Sequence, residues 1–391
     1  MAIRKSQVVI VGAGPAGLLL AHILKQAGLE PLVLERRSRE YVLGRIRAGV
    51  LEDGTAQLLR ELGIAGGMER AGYVHDGVML ASQGRGLRID FADAVQRPVI
   101  IYGQTSIQAD LYEAADERGL EIIHEIEDLE LGPLDGSAVE LRFRQGGQLQ
   151  SVTADFVAGC DGNRGVCRGL VPASALRVHE RVYPFGWLGI LSRTPPVDDE
   201  LIYAEHERGF ALCSMRNREL SRYYLQAPLD TQLEAWSDER FWDELRLRIP
   251  QEAAARLVTG LSIEKSLTPL RSLVVEPMRY KRLFLAGDAA HVVPPTGAKG
   301  LNLASSDVRL LGQAFVRYYQ AGSTDELDQY STAALARVWR AVRFSWWMTT
   351  LLHRFPDESS FDARMREAEF AQLFQSKAAR AVLAENYVGL F

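Results

Sequence analysis

The chain has few of the residues that build several common kinds of scaffold and site. Its three cysteines, Cys160, Cys167 and Cys213, are too few and too scattered for a disulfide framework or a zinc site, so three free thiols are expected. The seven histidines show no metal-binding spacing, so no metal is predicted. No apolar run approaches the roughly 18 residues that cross a bilayer. The first strand begins within about seven residues, which leaves no room for a signal peptide. Together these features predict a cytoplasmic protein with no membrane segment.

The charge balance excludes another class of partner. The chain has 45 Lys and Arg against 50 Asp and Glu, a net charge of -5, whereas a nucleic-acid binder usually carries a basic face. Its 391 residues, 47% hydrophobic and 24% charged, are ordinary for a globular protein of two domains. We therefore expect a globular protein with no nucleic-acid partner.

Residues 8–37 have the pattern of one complete dinucleotide-binding unit, in which an apolar strand, a glycine-rich turn, a helix and a second strand follow one another. Gly12 would permit the tight turn, Gly14 the close approach of a pyrophosphate, and Gly17 close packing of helix on strand. The helix N-terminus would offer N–H groups to the phosphates. Glu35, at the end of the second strand, would bind the ribose hydroxyls. The motif predicts an adenine dinucleotide but does not distinguish FAD from NAD(P).

Two further segments place arginine where a cofactor could bind. Arg45 and Arg47 alternate in a glycine-flanked loop, so both could grip a pyrophosphate, although such a cluster can also be a solvated surface. At mid-chain an apolar strand ends in Asp161-Gly162, with Arg168 close behind. That arrangement suits the polar edge of a cofactor, but it is also typical of a plain Asp-Gly turn. The residues alone leave both alternatives open.

The order of elements predicts an α/β protein with three parts. Residues 1–75, 100–180 and 270–320 are expected to form a discontinuous Rossmann-like domain around the glycine loop. Residues 76–99 and 181–269 contain alternating aromatic and β-branched strands, which predict an antiparallel-sheet substrate domain. Residues 321–391 are expected to form C-terminal helices. Their tryptophans, Trp339, Trp346 and Trp347, favour a core or a subunit interface, and hence a homodimer.

Three signatures together resemble the single-component flavin monooxygenases that act on aromatic rings. They are GAGPAG near the N-terminus, CDG with following arginines at mid-chain, and FLAGDAAHVVPPTGAKGLN late in the chain. The resemblance runs nearly end to end. It implies non-covalent FAD in a Rossmann-like FAD-binding domain, held by the glycine loop and Glu35. It also implies that FAD is contacted by Arg45, Arg47, Gln104, Arg222, Asp288, Lys299, Leu301 and Asn302.

The same resemblance implies a phenolic acid as substrate, with conversion of 4-hydroxybenzoate and O2 to 3,4-dihydroxybenzoate as the leading hypothesis. Such a site must hold the acid group and deprotonate the phenol, because a phenolate ring attacks an electrophilic oxygen far better than a neutral phenol does. The family's carboxylate-binding residues match Ser214, Arg216 and Tyr224. The implied catalytic residues are Tyr203 and Tyr387 at the phenol oxygen, His75 as outlet for its proton, Pro295 with a carbonyl for the hydroxyl, and Asn302 at the flavin edge.

A hydroxylase of this type also needs a hydride donor, yet the chain has only one G-x-G-x-x-G motif. The resemblance implies that NADPH or NADH binds at a surface cleft near Asp161, Arg168, Arg271 and Arg47. The chain departs from the family pattern at Asn163-Arg164 and at residues 36–40, which leaves the choice of donor open. Four arginines favour the 2′-phosphate of NADPH: Arg36, Arg37, Arg39 and Arg164.

Two other functions remain as alternatives. A hydroxylase of the same fold could act on another hydroxy- or aminobenzoate. The chain could also be a flavin-binding redox module without turnover.

Overall fold

The computed structural model describes residues 4–44 and 49–390 and confirms the predicted α/β fold class. The described strands form two eight-stranded sheets and one three-stranded sheet, with helices packed against them. Arg45 and Arg47, which the sequence predicts to contact FAD, lie outside the described residues.

The described part of the chain contains nineteen strands and twelve α-helices. The strands are β1 (Arg4–Val11), β2 (Leu32–Leu34), β3 (Val50–Leu51), β4 (Tyr73–His75), β5 (Gly77–Ser82), β6 (Arg85–Asp90), β7 (Val99–Ile101), β8 (Glu121–Ile123), β9 (Ile126–Leu131), β10 (Val139–Gln145), β11 (Gln148–Gly159), β12 (Arg177–Ser192), β13 (Ile202–Glu205), β14 (Ala211–Asn217), β15 (Leu220–Ala227), β16 (Ser262–Glu276), β17 (Arg279–Tyr280), β18 (Leu283–Leu285) and β19 (His291–Val292). The helices are α1 (Pro15–Gln26), α2 (Arg39–Leu43), α3 (Asp53–Glu61), α4 (Gly66–Ala71), α5 (Phe91–Val95), α6 (Gln104–Glu117), α7 (Asp238–Arg248), α8 (Gln251–Arg256), α9 (Gly300–Ala321), α10 (Asp325–Leu352), α11 (Ser360–Gln375) and α12 (Lys377–Val388).

The first sheet is built around β1, which pairs in parallel with β2 on one side and with β11 on the other. Residues 8–10 of β1 are completely buried, as expected for a central parallel strand covered on both faces. β18 pairs in parallel with β11, so these strands all end at the same edge of the sheet. That edge brings together the glycine loop after β1, Asp161 after β11 and Asp288 after β18. A crevice at the carboxyl ends of parallel strands is where this kind of fold binds its ligand.

The second sheet has the strand order β19-β16-β12-β15-β14-β13-β5-β6. The prediction of a purely antiparallel sheet is wrong at one pair, because β5 and β13 run parallel. β5 and β13 are far apart in the sequence, so no hairpin forces them to be antiparallel, and an alternating pattern carries no information on direction. Two strands also cross the predicted domain limits: β16 continues past residue 269, and β19 joins this sheet from within 270–320.

The C-terminal helices cover one face of the second sheet. Side chains of α11 and α12, including Phe370 and Tyr387, share one apolar core with Tyr203 of β13. The opposite face of the sheet packs against α7 and α8 in a separate core that contains Tyr223. Strand alternation therefore sends Tyr203 and Tyr223 to different environments.

Within residues 4–44 and 49–390, no helix combines the length and the apolar character needed to span a membrane. The same residues contain no group of three or more His, Cys, Asp and Glu arranged to hold a metal ion. All three cysteines are buried free thiols.

Candidate active site

The backbone of the glycine loop leaves no room for a side chain at Gly12 or Gly17 and leaves open space at Gly14, as the motif predicts. Gly12 has a φ of +107°, and a Cβ there would lie 2.5 Å from the carbonyl oxygen of Cys160. A Cβ on Gly17 would overlap the carbonyl oxygen of Gly12, so α1 can approach β1 only without a side chain at this position. A Cβ on Gly14 would meet nothing within 4 Å. The space in front of Gly14, at the N-terminus of α1, is therefore open to a pyrophosphate.

Two buried polar side chains hold this loop in shape. One oxygen of Glu35 accepts from the N–H of Ala13 at 2.8 Å, and the other accepts from the N–H of Arg37 at 2.8 Å. Gln108, on α6, donates to the carbonyl oxygen of Ala13 at 2.8 Å. Each carboxylate oxygen of Glu35 keeps a further lone pair for a ribose hydroxyl. Sequence reasoning missed Gln108, because a single glutamine within a helix carries no motif.

Two alanine substitutions in the loop should affect different properties, FAD affinity in one variant and stability of the fold in the other. Gly14→Ala should fold normally but bind FAD at least about tenfold more weakly, because the added methyl group enters the space left for the pyrophosphate. Gly17→Ala should lower thermal stability even without FAD, because its methyl group overlaps the backbone of Gly12. Thermal melts of the apoproteins and FAD titrations separate the two effects. Wild-type FAD affinity in Gly14→Ala would show that the pyrophosphate binds elsewhere.

The late Gly-Asp segment is supported by a buried ion pair that the sequence did not indicate. Asp307, on α9, accepts from the N–H of Gly287 at 2.8 Å and lies 2.6 Å from Nε2 of His291. Burial lowers the pKa of His291, but the carboxylates of Asp307 and Asp288 together with a backbone hydrogen bond raise it above its usual value. This pair fixes the turn that carries Asp288 at the edge of the first sheet.

The side chain of Asn302 is already fully used within the protein. Its oxygen accepts from the N–H of Glu52 at 3.0 Å and from the hydroxyl of Thr55 at 2.8 Å. Its nitrogen donates to the carbonyl oxygens of Val50 and Ala298, both at 2.9 Å. An amide has two donors and about two acceptor sites, so this side chain has nothing further for a flavin. The backbone N–H groups at the start of α9, including those of Leu301 and Asn302, are the groups a flavin could use.

Lys299 is buried and paired rather than turned towards an open site. Its ammonium group donates to Glu52 at 2.6 Å and to the carbonyl oxygen of Tyr387 at 2.8 Å. Glu52 also accepts from Arg337 at 2.7 Å. A predicted contact of Lys299 with FAD must therefore take account of the negative charge of Glu52, which sequence reasoning did not identify.

Three residues expected to bind the nicotinamide donor, Asp161, Arg168 and Arg271, lie near Asn163, whereas Arg47 is outside the described residues. Arg168 donates to the backbone oxygen of Asn163 at 2.7 Å, and Arg271 donates to its side-chain oxygen. Arg271 also pairs with Glu180 at 3.0 Å. Asp161 faces inward, where its carboxylate accepts from the N–H of Cys167 at 2.8 Å and burial raises its pKa. Asp161 therefore shapes the loop behind this cluster.

One row of side chains crosses the second sheet on the face covered by the C-terminal helices. Leu212 of β14 is paired with Tyr203 of β13 on one side and with Tyr224 of β15 on the other. Tyr224 is paired in turn with Gly189 of β12. Directly paired residues point to the same side of a sheet. A Cβ on Gly189 would lie 2.7 Å from the ring of Tyr224, so this glycine makes room for the tyrosine. Trp187 packs on Tyr224 with ring centroids 5.0 Å apart.

A guanidinium group lies at the Tyr224 end of this row. Burial lowers the pKa of Arg216, although its interaction with Tyr224 opposes the shift, and its buried Nε has no hydrogen-bond partner in the described structure. The hydroxyl of Ser214 donates to the backbone oxygen of Arg222 at 3.0 Å, so it must rotate to bind a carboxylate. Arg222 is paired with Glu264 at 2.8 Å. Nε of Arg222 also lacks a partner, but the charge of Arg222 is balanced by Glu264, whereas no carboxylate pairs with Arg216 among the described residues.

Two tyrosine hydroxyls lie at the opposite end. The hydroxyl of Tyr203 is 3.0 Å from that of Tyr387, which α12 carries. Burial raises the pKa of Tyr203 to about 12 and raises that of Tyr387 well above its usual value, so both remain protonated near neutrality. They can donate hydrogen bonds and pass protons, but they are not bases at this pH.

The structure does not join His75 or Pro295 directly to these tyrosines. Both ring nitrogens of His75 are buried and have no hydrogen-bond partner among the described residues. Burial lowers the pKa of His75, which keeps it neutral and able to accept a proton. The carbonyl oxygen of Pro295 accepts from the N–H of Ala298 at 2.9 Å, which leaves its second lone pair for a ligand. Gln104 begins α6, one turn before Gln108, which donates to the glycine loop.

The fold and the glycine cradle define a protein that binds an adenine dinucleotide, and the comparison with known families identifies it as a flavoprotein. A family model described as "FAD binding domain" matches residues 5–345, and the chain belongs to this family of flavoprotein aromatic monooxygenases. Among individual proteins, it is 50% identical to the p-hydroxybenzoate hydroxylase of Acinetobacter baylyi, over 100% of this chain and 96% of that protein. The predicted resemblance to flavin monooxygenases of aromatic rings is confirmed.

More distant similarities agree at the level of the fold. An uncharacterized aromatic compound monooxygenase of Bacillus subtilis is 28% identical over 79% of this chain and 61% of that protein. The crystal structure of p-nitrophenol 4-monooxygenase from Pseudomonas putida superposes with a TM-score of 0.82, at 21% identity and 99% coverage of both chains. A probable FAD-dependent monooxygenase of Pseudomonas aeruginosa superposes with a TM-score of 0.80 at 22% identity, over 95% of this chain and 100% of that chain.

Proposed function

We propose that the protein is an FAD-dependent hydroxylase that converts 4-hydroxybenzoate to 3,4-dihydroxybenzoate, with O2 and a reduced nicotinamide cofactor as co-substrates. The observation that carries this proposal is the row on the second sheet, with Arg216 and Tyr224 at one end and the Tyr203–Tyr387 hydroxyl pair at the other. Tyr203 and Tyr224 are two strands apart, or roughly 10 Å. One aromatic ring with a polar group at each end suits that distance. The identity with the relative from Acinetobacter baylyi supports the same substrate.

The residues at the edge of the first sheet fit FAD. The open space at Gly14 would take the pyrophosphate, Glu35 the ribose, and Asp288 the ribityl chain. When bound, FAD accepts a hydride from the donor and, with O2, supplies an electrophilic oxygen to the ring. The N-terminus of α9, with the N–H groups of Leu301 and Asn302, would stabilise negative charge on the reduced flavin through the positive end of the helix dipole.

At the acid end of the substrate, Arg216 pairs with the carboxylate. A charge-assisted hydrogen bond of this kind contributes roughly 1.5–3 kcal/mol. The hydroxyl of Tyr224 adds a second donor, and Ser214 a third after its rotation. This pairing orients the ring so that its phenol end reaches Tyr203.

At the phenol end, the two hydroxyls form the start of a proton relay. Tyr203 accepts the proton of the bound phenol as its own proton passes to Tyr387 through their 3.0 Å contact, and its hydroxyl can then donate a hydrogen bond to the phenolate. Neutral His75 is the proposed outlet, since its lowered pKa leaves an imidazole nitrogen able to accept. Pro295 would accept from the substrate hydroxyl before the proton leaves.

The donor is proposed to bind on the surface near Arg168, Arg271 and Asn163, with NADPH favoured over NADH. Arg36 and Arg164 are exposed, and Arg36 donates to the backbone oxygen of Arg164 at 3.4 Å, so both lie near this cluster. Of the other arginines that favoured NADPH, Arg39 is engaged by both oxygens of Asp116, at 3.0 and 2.6 Å. Arg37 packs on Tyr41. The preference for a 2′-phosphate therefore depends mainly on Arg36 and Arg164.

One experiment tests the function and the donor together. We expect the purified FAD-loaded protein to oxidise NADPH faster when 4-hydroxybenzoate is present, to form 3,4-dihydroxybenzoate, and to use NADH less efficiently. Product chromatography and NAD(P)H absorbance measure both reactions. Turnover with another hydroxy- or aminobenzoate instead would establish the first alternative. NAD(P)H oxidation that no aromatic acid stimulates would favour a flavin-binding redox module.

We also propose a cytoplasmic homodimer. Trp339 and Trp346 on α10 are 37% and 40% exposed, and a second subunit packed on α10 would cover them. Light scattering coupled to size-exclusion chromatography gives the mass directly.

A further inference from the structure

A buried ionic network joins the second sheet to the C-terminal helices. Its members are Glu205 at the end of β13, Arg354 just after α10, Glu358 in the following loop, and Arg366 on α11. The side chains of Glu205, Arg366 and Glu358 are only 2%, 7% and 11% exposed. Arg354 is 30% exposed. The three buried charged groups have a large desolvation cost, so their arrangement must be held accurately.

Each carboxylate of this network contacts both arginines. Glu205 lies 2.5 Å from Nη2 of Arg354 and 3.9 Å from Nη1 of Arg366. Glu358 lies 2.5 Å from Nη2 of Arg366 and 3.5 Å from Nη1 of Arg354. The second oxygen of Glu205 accepts from the hydroxyl of Ser82 at 2.7 Å. The network is therefore electrically balanced, and removal of one member leaves a buried charge without its counter-charge.

Hydrogen bonds between side chains and the backbone attach the same junction to β15 and to the residue that follows β13. Nε of Arg354 donates to the carbonyl oxygen of His206 at 3.2 Å. The amide of Gln226, on β15, accepts from the N–H of Arg354 at 3.0 Å and donates to its carbonyl oxygen at 2.5 Å. The segment between α10 and α11 is thus attached to the sheet beside β13.

The network is adjacent in sequence to both tyrosines of the phenol site. Glu205 follows Tyr203 by two residues on β13, so both side chains lie on the face that the C-terminal helices cover. Arg366 precedes Phe370 by one turn of α11, and Phe370 belongs to the core that contains Tyr203 and Tyr387. Ser376 alone separates α11 from α12, which carries Tyr387. A displacement of α11 would therefore be passed to Tyr387.

We propose that Glu205, through Arg354 and Arg366, is a positioning residue that holds the Tyr203 and Tyr387 hydroxyls in contact and so promotes deprotonation of the bound phenol. The inference rests on the proposed function, because it assumes that this pair contacts the substrate. A hydrogen bond weakens steeply as its geometry departs from the optimum. A small shift of α12 thus reduces the stabilisation of the phenolate without touching Arg216 or the glycine loop.

The test compares Glu205→Gln with Glu367→Gln. The first variant keeps the size of the side chain and a group that can bond to Ser82, but it removes the charge. The second removes an exposed carboxylate next to Arg366, whose partner is the exposed Arg364. Phenolate absorbance of 4-hydroxybenzoate bound to each holoenzyme is measured across pH. Glu205→Gln should raise the pKa of the bound phenol by about half a unit or more, roughly a threefold loss of phenolate stabilisation. Glu367→Gln should leave it unchanged, and both variants should bind the neutral phenol form with wild-type affinity.

Two further variants keep the result decisive. Adding Arg366→Gln to Glu205→Gln should raise the pKa of the bound phenol little further, because both residues act through the same network. If Glu205→Gln does not fold, Arg366→Lys gives the same readout, because it keeps the charge but loses the planar fork. An unchanged phenol pKa in a folded Glu205→Gln protein, alongside a raised one in Tyr203→Phe, would overturn the inference and leave the proposed function intact. Wild-type protein that neither binds nor ionises 4-hydroxybenzoate would overturn both.

Discussion

Arg216→Ala is expected to weaken binding of 4-hydroxybenzoate by roughly 30- to 150-fold, which corresponds to about 2–3 kcal/mol. The guanidinium group is the one cationic partner proposed for the substrate carboxylate, and a carboxylate left unpaired in a water-poor site bears its full desolvation cost. Burial already lowers the pKa of Arg216, and its Nε is without a partner within the described residues. The site thus contains a cation that the substrate, rather than the protein, is expected to satisfy.

The controls for Arg216→Ala separate charge, shape and folding. Arg218→Ala removes an exposed arginine two residues further on, in the turn between β14 and β15, and should bind 4-hydroxybenzoate normally. Arg216→Lys keeps the charge but loses the planar fork, so its affinity for 4-hydroxybenzoate should lie between those of Arg216→Ala and Arg218→Ala. FAD content and thermal stability should not decrease in Arg216→Ala, because the cofactor cradle lies on the other sheet. Equal affinity in Arg216→Ala and wild type, measured by flavin absorbance titration, would move the carboxylate site elsewhere.

Tyr203→Phe is expected to separate hydroxylation from NAD(P)H oxidation. The variant loses the first hydroxyl of the relay, so the phenol stays protonated and its ring reacts slowly with the electrophilic oxygen. Proton transfer by a positioned side chain typically contributes 10²–10⁴-fold, and we expect hydroxylation to slow by roughly a hundredfold. The reducing equivalents should then appear as hydrogen peroxide. The carboxylate contact with Arg216 should remain, so the acid should still bind.

Tyr223→Phe is the matched control for this experiment. Tyr223 is also fully buried in the second sheet, but it belongs to the core on the opposite face, away from Tyr387. The measurement is the ratio of 3,4-dihydroxybenzoate formed to NAD(P)H consumed, with peroxide assayed in parallel. A wild-type ratio and rate in Tyr203→Phe would exclude the relay and leave Tyr203 as a core residue.

The cofactor cradle could be predicted from the sequence because its constraints are local. The turn at Gly12 and the packing at Gly17 depend on backbone sterics within one strand–turn–helix unit. Glu35 ends the same unit, and its carboxylate accepts a hydrogen bond from the N–H of Ala13, only 22 residues earlier. The substrate residues are a different case, because only the family resemblance indicated them. Tyr203 and Tyr387 are 184 residues apart, and no periodicity relates them.

The corrections concern contacts between distant segments. Lys299 and Glu52 are separated by 247 residues, and so are Asn302 and Thr55. A lysine or an asparagine has the same character in the sequence whether it faces a ligand or a buried partner. Its role is decided by the element that packs against it. The parallel pairing of β5 with β13 is of the same kind, because strand patterns predict which face is buried but not the direction of a distant neighbour.

By itself, the sequence determined the α/β class, the dinucleotide loop and the alternation of the two faces along each strand of the second sheet. These features follow from backbone geometry and from the periods of strand and helix, which act over a few residues. The tertiary structure alone decided which charges are already neutralised and which remain available. It pairs Lys299 with Glu52, Arg222 with Glu264 and Glu205 with two arginines, whereas Nε of Arg216 retains its bonding capacity. The physical reason is that a buried charge must be balanced by groups brought to it in space, and folding brings those groups from anywhere in the chain.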